Sequence, residues 1–523
     1  MFDWIIRNGR VIDGTGNPPF RADVALQDGK IAFVGLLPAD APAAHTLDAT
    51  GHCVTPGFID VHSHADVTVF DNPQSHNKAG QGITTDISGN CGTSNAPRDG
   101  WTIAHEEKRA GKPGGLGFLS SYGQTMAHIE SLALGVNMAQ FVGHGSIRSV
   151  VCEGQDQNRP LTARELDRMC GMTAEALEEG AVGVSFGLIY PPGSYADLDE
   201  LTAVAKVAAR YDRCFSVHMR SESLRLGEDM IQGARRSGCR CQISHHKAKG
   251  KANWNKTLLT LPLVERANQE GLEVGLDQYP FTASATYLGV YIPQKFQSGG
   301  RAHTMELLRD PAARQAIRES MVKANPMEES NFLNAGFEGT LISRSPSHPE
   351  LNGLTVAQAA QQLGKDPFDT VFDLLLDDEF DTDGIYFMMN EQDIIRILQY
   401  RRTMIGTDGG GVLPGQTTHP RIVGTFPHIL GRYVRDLGVL PIEDAVRRMT
   451  SLPAQFFRLK GKGLLKEGFD ADVVVFDPDT IACPSDYQHT VPNTGLKAVY
   501  TGGQRVVEDN QYNGACPGKL IRA

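Results

Sequence analysis

Short apolar segments recur along the middle of the chain, and each is followed by a polar cluster and an amphipathic stretch. The apolar segments lie at residues 57–62, 83–91, 138–144, 181–187, 214–218, 240–245, 272–279 and 403–408. Two of the stretches between them, residues 161–181 and 200–212, place apolar side chains near helical spacing. Eight β/α units of this kind predict an α/β fold, a parallel (β/α)8 TIM-like barrel.

An open, doubly wound α/β sheet is the alternative arrangement of the same units. Nucleotide-binding members of that fold carry a glycine-rich phosphate-binding turn after the first strand. The segment that follows residues 57–62 has no such turn. The pattern therefore favours the closed barrel over the open sheet.

The regions outside the barrel pattern complete the predicted architecture. The stretch before the last barrel strand is too long for a loop, so it predicts a helical insertion at about residues 285–400 that would act as a lid. The two ends of the chain contain short β-branched runs broken by glycine-containing turns. These runs are residues 3–12, 22–35, 471–477 and 497–508.

The β-rich runs at the two ends predict a small β-sandwich domain formed from both termini. Two unrelated β-caps are the alternative, but the termini of one domain often lie close together, which favours the joint module. The predicted domains are residues 1–55 as the N-terminal part of the sandwich, 56–455 as the barrel, and 456–523 as the C-terminal part.

Composition narrows the classes of partner. Among the 523 residues, Lys plus Arg total 50 and Asp plus Glu total 61, so the net charge is −11. Nucleic-acid binding requires a basic face, and this balance argues against such a partner. We see no membrane-spanning run and no signal peptide, and the nine cysteines have no paired framework. We therefore expect a cytoplasmic protein with a small-molecule substrate, compatible with a homo-oligomer.

Metal-binding side chains stand where the predicted barrel strands end, which is the face on which barrel active sites are built. They are His62, His64, Cys91, His218, His245 and Asp408. His62 and His64 are two residues apart, so in an extended segment both point to the same side and can share one metal. Each residue alone has an ordinary structural explanation: a hydrogen-bonded histidine, a small buried cysteine, or an aspartate in a turn. Their convergence on one rim favours a metal site.

Two further histidines lie at or near predicted strand ends. His246 faces the opposite side of its strand from His245, so we interpret it either as structural or as a residue that supports the metal ligands without touching the metal. His144, at the end of the third predicted strand, is a candidate substrate contact, and a purely structural role explains it equally well.

The sequence resembles the D-aminoacylase (N-acyl-D-amino-acid deacylase) family of the amidohydrolase superfamily over essentially its whole length. The superfamily typically has an HxH pair at the end of the first strand, a histidine at the end of the fifth, a histidine at the end of the sixth and an aspartate at the end of the eighth. This sequence has the same order. Matching segments are PGFIDVHSHAD (56–66), SGNCG (88–92), VGVSFGLIYPPGSYA (182–196), HMRSES (218–223), ISHHKAKG (243–250), DQYPFTAS (277–284), MIGTDGGG (404–411) and HPRIVGTFP (419–427).

The resemblance implies a zinc enzyme with one tight site formed by Cys91, His218 and His245, and a weaker second site formed by His62 and His64. Hydantoinases and dihydroorotases usually bridge two metals with a carboxylated lysine on the fourth strand. Residues 181–190 contain no lysine here, and a Cys91 thiolate can supply the anionic ligand instead. The alternatives are a cyclic-amide hydrolase of that kind or a non-catalytic structural relative of the barrel.

The resemblance also implies a mechanism. Zinc would activate water, and Asp408 would accept its proton and return it to the leaving amine, so that a linear N-acyl-D-amino acid is hydrolysed. The substrate α-carboxylate is expected near Lys247 and Tyr279, with Tyr190 close by. Arg220 and Arg421 are further candidates.

One position departs from the family pattern at this predicted carboxylate site. Relatives carry serine where this chain has Ala285, with Ser284 adjacent. A side-chain pocket is expected to involve Leu188 and Ile189, with Phe387, Met388 and Met389 from the insertion. Because these side chains are apolar, neutral substrates are expected over acidic ones.

Overall fold

Eight parallel strands form a closed barrel in the computed structural model, which describes residues 1–110, 114–152, 156–223, 228–325, 328–412 and 419–523. The strands are Phe58–Asp60, Ile83–Ser88, Asn137–Gln140 continued by Val142–Gly143, Gly183–Gly187, Cys214–His218, Arg240–Ile243, Val274–Gln278 and Thr403–Ile405. The last strand returns to the first, where the Val61 amide donates to the Ile405 carbonyl at 3.3 Å. The predicted barrel is confirmed, and its strands end where the polar clusters begin.

Helices cover the outside of the barrel, because their apolar faces pack on the strands. Both predicted helical stretches are present, as Ala163–Glu178 and Leu198–Arg210. Thr162 and Glu165 form a reciprocal capping box that begins the first of them, and Asp197 caps the second. The other helices around the barrel are Ala65–Thr68, His76–Ala79, Gly100–Ala110, Tyr122–Glu130, His144–Val151, Glu228–Ser237, Thr257–Gln269, Glu391–Gln399, Arg421–His428, Ile429–Asp436 (a π-helix), Ile442–Met449 and Ser451–Phe456.

The insertion before the last strand contains helices, as predicted, and also a sheet that the pattern did not predict. Its helices are Gly300–Arg309, Pro311–Met321, Asn331–Ala335, Val356–Leu363 and Pro367–Asp377. Strands Ala283–Tyr287, Asp383–Phe387 and Thr340–Arg344 form an antiparallel sheet with Asp383–Phe387 in the centre. These strands are short and far apart in sequence, so their pairing depends on tertiary contacts and leaves little local signal.

The two ends of the chain share one nine-stranded sheet. Its strands are Phe2–Val11, Phe20–Gln27, Lys30–Gly35, Ala43–Asp48 and Cys53–Pro56 from the N-terminal end, and Val473–Phe476, Leu496–Thr501, Gln504–Glu508 and Gln511–Tyr512 from the C-terminal end. Cys53–Pro56 pairs antiparallel with Val473–Phe476 and so joins the two ends. The joint β-module is therefore present, while the exact division at residues 55 and 455 stays a prediction.

Two further properties concern the cysteines and the helices of the chain. All nine cysteines are free, with no disulfide among them. Within the described ranges, no helix is both long enough and apolar enough to cross a lipid bilayer.

Candidate metal centre and active site

The predicted metal ligands meet at the carboxyl ends of the barrel strands. The Cys91 sulfur lies 3.3 Å from His62 Nε2 and 3.4 Å from His245 Nε2. His245 Nε2 is also 2.9 Å from His218 Nδ1. Residues from the first, second, fifth and sixth strands thus bring one sulfur and three imidazole rings into one cluster, in which His218 lies next to His245 and outside the group of donor atoms that includes Cys91.

His64 and Asp408 complete the rim on the side of the first strand. Asp408 Oδ1 lies 3.1 Å from His64 Nε2 and 3.4 Å from His62 Nε2. One ligand atom from each of His62, Cys91, His245 and Asp408 lies within 4.8 Å of the other three. Sulfur and imidazole donors with a carboxylate suit zinc better than magnesium or calcium.

Three of these residues occupy backbone conformations that side chains rarely adopt. The φ angles are 55° at Cys91, 33° at His245 and 49° at Asp408, all in the left-handed region. Such a conformation costs on the order of 1–3 kcal/mol per residue and persists only where the surrounding structure enforces it. All three residues lie in the turns that follow the strands, and this backbone conformation directs their side chains into the site.

Cys91 is buried, yet its environment favours the thiolate. Burial acts to raise the pKa of Cys91, but the imidazoles of His62, His245 and His218 outweigh it and lower that pKa well below its usual value. The thiolate is the form that binds a metal. The Cys91 thiolate can therefore supply an anionic ligand, whereas the fourth strand contains no lysine that could do so.

Asp408 is paired with an arginine that follows it in the chain. Arg421 Nη1 lies 2.8 Å from Asp408 Oδ2, and both side chains are almost fully buried. Burial acts to raise the pKa of Asp408, but Arg421 and the neighbouring histidines lower it well below its usual value. The carboxylate is therefore ionised, which is the form that can accept a proton.

Two supporting residues were missed at the sequence level. His62 Nδ1 lies 3.1 Å from Asp277 Oδ1, which holds the ring so that Nε2 faces Cys91. Lys78 is fully buried, and its ammonium group lies 2.6 Å from Asp60 and 2.9 Å from Thr407. Asp60 lies just before His62, and Thr407 lies just before Asp408. Lys78 therefore ties together the two loops that carry those site residues.

The predicted carboxylate contacts lie beside this cluster. Lys247 Nζ is 2.6 Å from His245 Nδ1 and 5.5 Å from the centre of the Tyr279 ring. The Arg421 guanidinium stacks over the same Tyr279 ring at 4.6 Å. The Tyr190 ring meets the His218 ring edge-on at 4.9 Å. These four side chains surround the metal-ligand candidates from the side of the fourth, sixth, seventh and eighth strands.

Arg220 and His144 have other partners. Arg220 donates to the carbonyls of Ser194 at 2.5 Å and Ala196 at 2.6 Å, so it braces the loop after the fourth strand. His144 Nε2 lies 2.8 Å from Glu200, in a buried ion-pair network. The contact of His144 agrees with its structural explanation, and the roles of both residues at the substrate stay predictions.

The family model and the relatives that this chain resembles agree with one another. A sequence model described as the amidohydrolase family matches residues 45–507. A D-aminoacylase from Alcaligenes xylosoxydans xylosoxydans is 34% identical, over 99% of this chain and 97% of the relative. An N-acyl-D-glutamate deacylase from the same organism is 35% identical, over 99% of this chain and 96% of the relative.

A solved structure extends the similarity to three dimensions. It is an N-acyl-D-glutamate deacylase from Bordetella bronchiseptica, complexed with zinc and a phosphonate inhibitor that mimics the tetrahedral intermediate of the reaction. It is 34% identical, and the match covers 100% of both chains with a TM-score of 0.82.

Proposed function

The chain belongs to the amidohydrolase family, within its D-aminoacylase group, and from this membership we propose that it is a zinc-dependent hydrolase of N-acyl-D-amino acids. The reaction breaks the linear amide bond and releases a carboxylate and a free D-amino acid. The observation that carries the proposal is the meeting of the Cys91 thiolate, the strand-end imidazoles and the ionised Asp408 at the barrel mouth.

The donor set supports one tight and one weaker zinc site. Cys91, His218 and His245 would hold the tight site, since three protein ligands leave a coordination position open for chemistry. His62 and His64 would form the weaker site beside it, and Asp408 lies within reach of both of their imidazoles. When bound, zinc supplies Lewis-acid chemistry, which acidifies water and polarises an amide carbonyl.

Asp408 is the proposed proton carrier. As a carboxylate it takes one proton from the attacking water while the new C–O bond forms. It then returns that proton to the amide nitrogen as the C–N bond breaks, so one group serves as base and then as acid. Arg421, 2.8 Å away, keeps the carboxylate ionised and fixes its orientation between turnovers.

Stereochemical selection follows from three-point placement of the substrate. The acyl carbonyl would lie at the metal, and the α-carboxylate would lie at Lys247 and Tyr279, with Arg421 and Tyr190 adjacent. Once these two groups are fixed, only one enantiomer can direct its side chain into the remaining space. The family relationship supports the D form as that enantiomer.

The proposed side-chain pocket is apolar, so we assign neutral substrates to it. Leu188 and Ile189, just before Tyr190, are buried, as are Met388 and Met389 in the insertion. Phe387 is 40% exposed at the end of its strand. N-acetyl-D-methionine and N-acetyl-D-leucine suit such a lining better than acidic substrates.

A panel of matched substrates tests the proposal. N-acetyl amino acids in both configurations, with neutral and acidic side chains, are assayed beside hydantoin and dihydroorotate. We expect turnover of the D forms, with neutral side chains fastest. Equal rates on the two enantiomers, or turnover of the ring amides alone, would remove the D-aminoacylase assignment and favour a cyclic-amide hydrolase. Absence of turnover and of bound zinc would favour a non-catalytic relative.

We also assign the enzyme to a reducing compartment, the cytoplasm, because its nine cysteines are free. A homo-oligomer stays a prediction, which size-exclusion chromatography with light scattering would test.

A further inference from the structure

A buried glutamate outside the predicted site contacts both histidines of the tight zinc site. Glu222 lies four residues after His218 in the chain and is completely buried. Its Oε1 lies 2.9 Å from His245 Nδ1, and its Oε2 lies 3.4 Å from His218 Nε2. These are the ring nitrogens that face away from the metal-ligand cluster, since His218 Nδ1 and His245 Nε2 are the pair that meet at 2.9 Å. One carboxylate therefore reaches the outer nitrogens of both rings.

Two lysines occupy the remaining space around this carboxylate. Lys247 Nζ lies 2.6 Å from Oε1, and Lys249 Nζ lies 2.5 Å from Oε2. Lys249 also contacts Glu329 at 3.2 Å. A cation bound directly to Glu222 would lie beside two ammonium groups, which repel it. The surroundings therefore suit Glu222 as an anionic contact for the imidazoles, held in place by the lysines, and not as a metal ligand.

We propose that Glu222 is a positioning residue for the tight zinc site: its carboxylate fixes the ring orientation of both His218 and His245 without touching the metal. With the outer nitrogens held beside this carboxylate, His218 Nδ1 and His245 Nε2 are directed toward the metal-ligand cluster. Because Lys247 is also the proposed anchor for the substrate carboxylate, Glu222 links that anchor to the metal ligands. The inference rests on the zinc site of the proposed function.

The test measures zinc affinity instead of turnover. Glu222→Gln keeps the size of the side chain but supplies only one accepting oxygen for two rings. Loss of such a second-sphere contact typically weakens metal binding about 10- to 100-fold, and we expect a change of that size in competition with a chromophoric chelator. Glu329→Gln is the matched control, because it makes the same charge change beside Lys249, contacts neither histidine, and keeps an oxygen that can accept from the Glu222 backbone amide. It should bind zinc as the wild type does.

A spectroscopic signature separates positioning from general destabilisation. Cobalt(II) replaces zinc, and its visible absorption bands report ligand geometry. We expect shifted bands in the Glu222→Gln protein and wild-type bands in the Glu329→Gln protein. Wild-type affinity and bands in Glu222→Gln, or equal losses in both variants, would overturn the proposal.

If Glu222→Gln fails to fold, a charge-balanced double variant tests the same proposal. The double variant Glu222→Gln with Lys249→Met removes one charge of each sign, and circular dichroism checks its fold. Weakened zinc binding in this folded protein supports the proposal, and wild-type binding overturns it. A wild-type protein that binds no zinc would instead refute the proposed zinc site itself, so the two failures are distinguishable.

Discussion

At the scale of single residues, Cys91 shows how environment decides the chemistry of a buried thiol. Cys214 is equally buried, and there burial raises the pKa to about 12. Cys91 has three imidazoles around its sulfur, and its pKa moves in the opposite direction. The same side chain is thus an inert core residue at one position and, at the other, a thiolate in a form that can bind a metal.

Cys91→Ala should lower both zinc content and activity, because it removes the anionic ligand. A second-sphere change costs about 10- to 100-fold in metal affinity, so loss of a ligand should cost more. Metal analysis after dialysis, together with the rate on an N-acetyl-D-amino acid, measures the effect. Cys214→Ala is the control and should keep its zinc. A Cys91→Ala protein with full zinc and full turnover would mean that Cys91 only packs.

Asp408→Asn should keep the tight zinc and lose most of the hydrolysis. The amide preserves the shape of the side chain but cannot accept a proton, and general acid–base catalysis contributes about 10²- to 10⁴-fold. Parallel measurement of zinc content and kcat separates the two effects. A rate near that of the wild type would remove Asp408 from the base role.

At the scale of elements, the loop after the second strand presses against the end of the fourth. A methyl group added at Gly187 would overlap the carbonyl oxygen of Cys91, and one added at Gly92 would overlap the backbone of Gly187. The fourth strand can therefore end beside Cys91 only because residue 187 has no side chain. This close approach holds the Cys91 backbone against the end of the fourth strand.

Gly187→Ala should displace Cys91 and reduce zinc affinity, as well as thermal stability, because backbone must move to make room. Gly171→Ala is the matched control, since Gly171 lies in helix Ala163–Glu178 with open space around it. That change should leave zinc binding intact and stabilise the helix by up to about 1 kcal/mol. Thermal unfolding and chelator competition on both proteins check the prediction. Intact zinc affinity in Gly187→Ala would show that the loop can relax.

At the scale of the whole molecule, the metal site joins segments that are distant in the chain. Its candidate ligands leave the first, second, fifth and sixth strands, and Asp408 follows the eighth. A metal bound to all of them would connect strands on opposite sides of the barrel. Zinc binding and global stability should therefore be linked.

Removal of zinc by a chelator should lower the unfolding temperature, and added zinc should restore it. Free zinc at about 100 times its dissociation constant stabilises the native state by about 2.7 kcal/mol. Differential scanning calorimetry with and without chelator measures the shift. The Cys91→Ala protein should show a smaller shift than the wild type. An unfolding temperature that is indifferent to zinc would argue against ligands shared across the barrel.

Local patterns were enough to predict the barrel, the joint terminal sheet and the set of metal-ligand candidates. Strand periodicity and the position of a histidine or cysteine at a strand end are properties of a few neighbouring residues. They can therefore be read directly from the chain. The carboxyl ends of parallel strands meet at one face, so candidates at strand ends had to come together.

Only the tertiary structure identified the residues that support the site. Lys78 and Thr407 are 329 positions apart and Asp277 and His62 are 215 apart, yet each pair is in contact. In the sequence, Lys78 and Glu222 look like ordinary surface charges. Their burial, and the ion pairs that compensate for it, arise when distant segments pack together. The physical reason is that the cost of burying a charge depends on partners that sequence neighbours do not supply.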